Sequence, residues 1–258
     1  MLDYFFSRRG MLETFFSKIY SDTGLIRSFF PNDSLSRLKG VFVAHSHYDH
    51  AMDIGYIHQL SKANIYGSSS TLNIARGSNV AEEHLFDFAK DSIYTIGKFK
   101  IQVVRSIHSI PKWYNNDVGE IIEKRLDQPA KYRDYKEGGA FDFLITHGSK
   151  KIIIRPSINY IHDQWKDVHA DIIFLGISQM GKYTQEFLDS FYYENITQVK
   201  PSLVVPFHHD DFFIPITKEE KYLAGVPEGL DYLMERTYKD SIELKLIKYF
   251  HQIRLKTN

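Results

Sequence analysis

The 258-residue chain contains no cysteine. That absence removes disulfides, thiolate metal ligands and a cysteine nucleophile, so any metal site has to be built from imidazole and carboxylate. No apolar run approaches the roughly 20 residues of a membrane span. The opening residues, Met1 to Arg9, lack the apolar core and cleavage site of a signal peptide, and a cytoplasmic location is expected. Charge of neither sign prevails: 32 basic residues face 32 acidic ones, which gives no encouragement to a nucleic-acid partner or an anionic membrane. No G-x-G-x-x-G or G-x-x-x-x-G-K-[ST] sequence is present to cradle a nucleotide. Repeats and a Pro/Ser/Gly-rich linker are missing too, so residues 1–258 are expected to form one domain, with homo-oligomerisation left open.

What is there reads as an ordinary globular composition, 43% hydrophobic and 25% charged, in a chain long enough for a sizeable core. Short apolar runs alternate with stretches at helical spacing, which predicts an α/β (α+β layered) fold. The clearest strand is Val41 to Ala44, a continuous apolar run of the buried kind. Others are expected at Ser92 to Ile96, Phe99 to Val104, Phe141 to Thr146, Lys151 to Ile154, Asp171 to Leu175 and Leu203 to Pro206. Helices are expected over Gly10 to Ser21, Asp53 to Ser61, Ser69 to Arg76, Thr184 to Asn195 and Pro227 to Thr237. Gly97-Lys98 reads as a hairpin turn. The stretch 111–139 has no clear periodicity and holds Trp113, Tyr114, Tyr132 and Tyr135 among many charges. It reads as a lid or insertion, or as a solvated insertion with a short helix over Val118 to Leu126.

Twelve histidines are present, and their placement matters more than their number. Four candidate ligands, His45, His47, Asp49 and His50, follow directly on the apolar strand ending at Ala44. In extended backbone, residues two apart point the same way, so His45 and His47 can reach one ion. A turn after His47 can aim Asp49 and His50 at a neighbouring one. Three histidines and an aspartate at the end of a buried strand are costly to desolvate unless something binds them.

The order H-x-H-x-D-H after a strand, here His45-Ser46-His47-Tyr48-Asp49-His50, resembles the signature of the metallo-β-lactamase superfamily. The resemblance covers roughly Asp3 to Phe213 and implies an αββα sandwich. It also implies a third ligand of the first metal about sixty residues on, where His108 stands, and a late histidine after a strand, where His208 stands with His209 as its competitor. On that pattern His45, His47 and His108 hold one ion, and Asp49, His50 and His208 a second. The cofactor implied is Zn2+, one or two ions, with Mn2+ or Fe as alternatives. The activity implied is hydrolysis of an ester, lactone or phosphodiester by a hydroxide formed at the metal, with Asp49 as the catalytic residue that orients it. Within the superfamily the chain looks most like the group of UlaG-like lactonases and N-acyl phosphatidylethanolamine phospholipase D-type phosphodiesterases, which implies a small-molecule or lipid-like substrate.

Two departures stand out. Family members place a bridging aspartate after a strand between the third and last histidines. Here Lys151 to Ile154 runs into Arg155-Pro156-Ser157, with Ser157 the nearest match, Asp163 further on, and Asp210 and Asp211 as acids that could compensate. Asp3-Tyr4-Phe5-Phe6 also resembles the end of the segment that normally precedes the motif, so either the first strands stand outside this sequence or the fold is abbreviated. Two competing classes stand beside the hydrolase: a metal-binding protein with lapsed catalysis, which the missing acid motivates, and a di-iron oxidoreductase using the same ligand set.

Overall fold

The computed structural model describes residues 2, 5–30, 34–88, 93–112 and 115–248. The first part of the chain forms α1 (Met11–Phe16), β1 (Lys18–Ile19), α2 (Thr23–Phe29), β2 (Gly40–Phe42), the single turn α3 (Tyr48–Ala51), α4 (Ile54–Ser61), β3 (Asn64–Gly67), α5 (Ser69–Gly77) and β4 (Leu85–Asp87). The second part forms β5 (Ile93–Ile96), β6 (Phe99–Ser106), β7 (Ala130–Lys131), β8 (Ala140–His147), β9 (Lys150–Arg155), β10 (Ile172–Gly176), α6 (Gln185–Tyr192), β11 (Leu203–Phe207), α7 (Val226–Lys239) and β12 (Glu243–Leu244).

Two sheets face each other. The smaller is parallel, in the order β2-β3-β4, and the larger runs β12-β11-β10-β9-β8-β6-β5. Alternation along β2 and its continuation shows the layering. Val41 and Val43 pack with Ile54, Ile57, Leu72 and Ile74 of α4 and α5. Phe42 and Ala44, on the other face, pack with Val103 and Phe143 of the larger sheet. The outer face of that sheet, at Ile153, Ile173 and Val204, is covered by Leu188, Phe191, Leu230 and Leu233 of α6 and α7. The layers are therefore helix, sheet, sheet, helix, the αββα sandwich that the motif implied.

Strand direction positions the site. β9, β10 and β11 are mutually parallel, and β6 runs with them because β8 is antiparallel to both β6 and β9. The carboxyl ends of β6, β9, β10 and β11 therefore lie along one edge, the edge at which α/β sheets commonly receive ligands.

Local chemistry explains most of the elements. α2, α5 and α6 start at Asp22, Ser68 and Thr184, each of which accepts a hydrogen bond from the backbone N–H three residues on. α6 runs on into a π-helical turn, Tyr193–Thr197, which accounts for the longer helix expected there. Gly97, at φ 59°, makes the tight turn between β5 and β6, as expected.

Two expectations fail for non-local reasons. The helix expected over Gly10 to Ser21 stops at Phe16, because Lys18 and Ile19 pair antiparallel with Lys131 and Ala130. No helix forms over Val118 to Leu126. Its backbone is bonded to α5 instead: the Ile122 N–H donates to Ser70 Oγ and the Leu126 N–H to the Asn73 carbonyl. Gly77 permits that approach, since a Cβ there would sit 1.7 Å from the Leu126 carbonyl oxygen. Asp3, Tyr4, Ser92, Trp113, Tyr114 and His251 lie outside the described residues.

Behind the ligand edge, Arg155 and Asp142 form an ion pair at 3.0 Å with side chains 0% and 1% exposed. Burial pushes the Asp142 carboxyl up to about 6 while Arg155 opposes the shift, so both groups are charged at neutral pH. Removing one partner strands a buried charge, and Asp142→Ala is expected to cost about 3–5 kcal/mol in urea denaturation. Replacing both, as Asp142→Leu with Arg155→Met, should recover most of that loss. A single variant as stable as the parent would contradict the pairing.

Candidate metal centre

The first motif sits where β2 leaves its sheet. The chain stays extended through His45 and His47, then turns into α3, with His47 as the residue before its first turn at φ −58° and ψ 154°. His45 and His47 thus project from extended backbone, while Asp49 and His50 project from a helical turn, as the spacing predicted. The loop is held from the β8 side. The Phe141 N–H donates to the Ala44 carbonyl, and the Ser46 N–H donates to the Glu137 carbonyl, each at 2.9 Å. Gly138, at φ +68°, is required there, because a Cβ would meet Ser46 Oγ at 2.3 Å.

His108 arrives from the end of β6 and His208 from the end of β11. The rings of His45, His47 and His108 form a triangle with centroid separations of 5.0, 4.7 and 4.8 Å. His50 joins from the other side, 3.8 Å from His45 and 5.2 Å from His208. Asp49 Oδ2 lies 3.4 Å from His50 Nε2 and 3.6 Å from His208 Nε2. The six residues fall into two adjoining sets, His45–His47–His108 and Asp49–His50–His208, with the donor atoms of each set within 4.8 Å of one another. His208 has φ +54°, a left-handed conformation that costs a non-glycine residue on the order of 1 kcal/mol.

Burial sets the electrostatics. Desolvation, with the neighbouring rings adding to it, holds His45 well below the ordinary imidazole value and His108 down to about 3. Both are neutral at physiological pH and present lone pairs. Burial would raise Asp49, but His50 and His208 beside it hold its carboxyl well below the usual carboxylate range. Nδ1 of His45 is buried with no hydrogen-bond partner, a costly state for an imidazole nitrogen that nothing binds. Neutral imidazoles, an ionised carboxylate and an orphaned ring nitrogen are a donor set that fits a divalent ion.

The remaining sequence candidates fall elsewhere. His209 turns away to Glu220 at 2.8 Å. Asp210 is held by Arg8 at 2.6 Å, and Asp211 accepts from the Phe213 N–H, so neither replaces the missing acid. Asp163 lies in a separate group with exposed His162 and buried Glu194. Ser157, the nearest match to the bridging aspartate, does line the site. His58 and His169 bond to backbone carbonyls as structural histidines.

Sequence reasoning missed two features. Asp117, from the irregular stretch 111–139, places its carboxylate oxygens 3.1 and 3.2 Å from His47 Nε2. It also accepts from the Glu137 N–H at 3.1 Å. No spacing signal marks it, since one acid among several in an aperiodic segment looks like any other. The second feature is a chain behind His108: Arg155 Nε donates to the Asn159 carbonyl, and Asn159 Nδ2 donates to the His108 carbonyl at 2.7 Å. The whole set opens into a cavity of about 690 Å³, whose walls include Phe15, Tyr48, Tyr132, Phe212 and Phe213.

No family model matches the chain, and no curated protein matches it in sequence. Solved structures do. A metallo hydrolase from the hyperthermophilic archaeon Ignicoccus hospitalis superposes with TM-score 0.56 at 11% identity, over 85% of this chain and 80% of that one. The metallo-β-lactamase fold protein YhfI from Bacillus subtilis gives 0.53 at 16% identity, over 90% and 83%. CmlA, a diiron β-hydroxylase from Streptomyces venezuelae, gives 0.52 at 10% identity, over 82% of this chain and 44% of that one. At such identities the likeness establishes the fold, and it does not single out the UlaG-like or phospholipase D-type group within it.

A histidine neutral in the native state but protonated near pH 6.5 when unfolded makes the native state bind fewer protons, so stability falls as pH drops below that value. Chelator-treated protein is expected to lose stability between about pH 6.5 and 3, and His108→Gln to fall less steeply over the same window. Urea titrations at several pH values check this; parallel profiles for the two proteins would contradict the buried, neutral His108.

Proposed function

We propose that this chain, a protein of the metallo-β-lactamase fold, is a metal-dependent hydrolase cleaving an ester, lactone or phosphodiester. The observation that carries the reading is the pair of adjoining donor sets at the floor of one large cavity. His45, His47 and His108 would hold one ion, and Asp49, His50 and His208 a second, with zinc, manganese or iron suited to the nitrogen and oxygen donors. A bound ion supplies hydroxide by lowering the pKa of a water toward about 7, and it neutralises charge developing on the substrate oxygen.

The chain's own residues do the rest. Asp49, ionised between His50 and His208, can accept a proton from the attacking water at a carboxylate oxygen and pass it to the leaving group. Asp117 accepts from His47 Nε2, which leaves Nδ1 for the ion and fixes the ring. Ser157 offers no carboxylate to share between two ions, so the second should bind more weakly. The aromatic walls suit an apolar or lipid-like portion of the substrate. The likeness to CmlA keeps a di-iron oxidoreductase as the second reading, and metal identity decides between the two.

Metal analysis of protein purified without added metal is expected to find one to about two equivalents of zinc or manganese, against iron for the oxidoreductase. His47→Ala should lose the first ion and all ester, lactone and phosphodiester hydrolysis while its circular dichroism stays native; retained metal would overturn the ligand assignment. Ser157→Asp should raise occupancy of the second site, and an unchanged stoichiometry would show that Ser157 does not stand at the bridging position.

A further inference from the structure

The wall of the cavity also carries two lysines that share one acceptor. Lys112 follows β6 on the segment that bears His108, and Lys182 lies in the short turn Met180–Lys182 after β10. Both ammonium groups donate to one neutral acceptor, Gln179 Oε1, at 2.5 and 3.3 Å. Among the described residues neither is ion-paired with a carboxylate. Lys136, on the same cavity, shows the ordinary alternative: it is matched by Glu120 at 2.6 Å. Lys112 is half-buried, and burial together with the charge of Lys182 holds its pKa below the ordinary lysine value. In a chain of zero net charge this is a local, uncompensated concentration of positive charge.

Lys112 is half-buried and Lys182 exposed, and the backbone that carries them is fixed by local contacts. Gln179 is held at φ +59°, a left-handed conformation rare for a residue with a side chain. The stem of Lys182 lies against Gly225, where a Cβ would come within 2.8 Å of Lys182 Cγ. The Gly181 N–H donates to the Gly225 carbonyl, tying the turn to the start of α7. Lys112 Nζ sits 5.6 Å from the centre of the Tyr183 ring. Each ammonium has three donors and gives one to Gln179, so further donors remain for a ligand. The same residues also line a side groove with Ile110, Tyr183 and Phe187, in which the two aromatic rings stack at 4.6 Å.

We propose that Lys112 and Lys182, bridged by Gln179, form a seat for an anionic group of the substrate, a carboxylate or a phosphate, with an adjoining apolar portion lying on Ile110, Tyr183 and Phe187. This deepens the hydrolase reading and rests on it for its meaning: the substrate class becomes an amphiphilic ester or phosphodiester with a fixed negative charge away from the scissile bond. Two positive charges held on one neutral oxygen repel, and an anion placed between them relieves that repulsion while accepting charge-assisted hydrogen bonds from both.

Binding tests the seat without requiring turnover. Octanoate, octyl phosphate and neutral octanol are titrated calorimetrically into the full chain as purified, and again after chelation. The expected result is that at least one anion binds about tenfold or more tightly than octanol in both preparations, with the tighter anion identifying carboxylate or phosphate as the recognised group. Lys112→Gln and Lys182→Gln should each weaken that binding roughly five- to thirtyfold, and the double variant should bind the anion no better than octanol. Anion binding that vanishes on chelation and survives in the double variant would place the anion on the metal and overturn the seat, as would equal binding of all three probes. If the seat binds its anion in a protein that takes up no metal, the hydrolase reading fails alone. If a metal-loaded protein hydrolyses neutral esters and ignores the anions, the seat fails alone.

Discussion

Five imidazoles and one carboxylate gathered out of water at the edge of two facing sheets impose the constraint that the rest of the molecule serves. Each group would be better solvated alone, and each has been desolvated to the point that His45 and His108 no longer protonate in the ordinary range. Only a rigid frame keeps such a set together. The frame is the shared direction of β6, β9, β10 and β11, which delivers His108, Ser157, Gln179 and His208 to one edge, while β2 delivers His45 from the facing sheet. The left-handed His208 and the glycine forced at position 138 are local costs accepted at the points where the backbone has to turn into the site.

The absence of an acid after β9 has a structural counterpart at the end of the strand itself. Arg155 ends β9 and points into the interior, where Asp142 of β8 neutralises it. Its Nε reaches the Asn159 carbonyl, and the Asn159 amide in turn holds the carbonyl of His108. Where the resemblance implied an acid, β9 instead ends in a residue that braces the backbone of His108. Such a pair gains little net stability over a hydrophobic replacement, and what it adds here is the bond from Arg155 to Asn159 and from there to His108.

How much of this was legible in the sequence depended on how local each feature was. The run from His45 to His50 was readable because the candidate ligands and the turn are contiguous, and the strand ends at His108 and His208 were readable from the apolar runs before them. His208 could be preferred to His209 on the same ground, and the structure turns His209 toward Glu220. Asp117 was invisible: it reaches His47 across 70 residues, through a segment whose shape is set by bonds to α5 rather than by its own periodicity. The misread helix after Gly10 has the same origin, since nothing within residues 10–21 announces a partner at Ala130 and Lys131. Lys112 and Lys182 look like two of many lysines until β6 and β10 bring them to one glutamine.

Placing recognition and chemistry on shared segments has a consequence for how binding could be used. Lys112 stands four residues beyond His108, and Gln179 and Lys182 follow β10, which lies between the strands that deliver Ser157 and His208. An anion seated on the lysines would load the segment that carries His108, whose carbonyl is fixed from behind by Asn159. That segment is thus held at the backbone on one side and drawn by the ligand on the other. Energy from a part of the substrate that does not react can then be spent on orienting the part that does, which is the condition under which binding raises the rate of the chemical step rather than only the occupancy of the site.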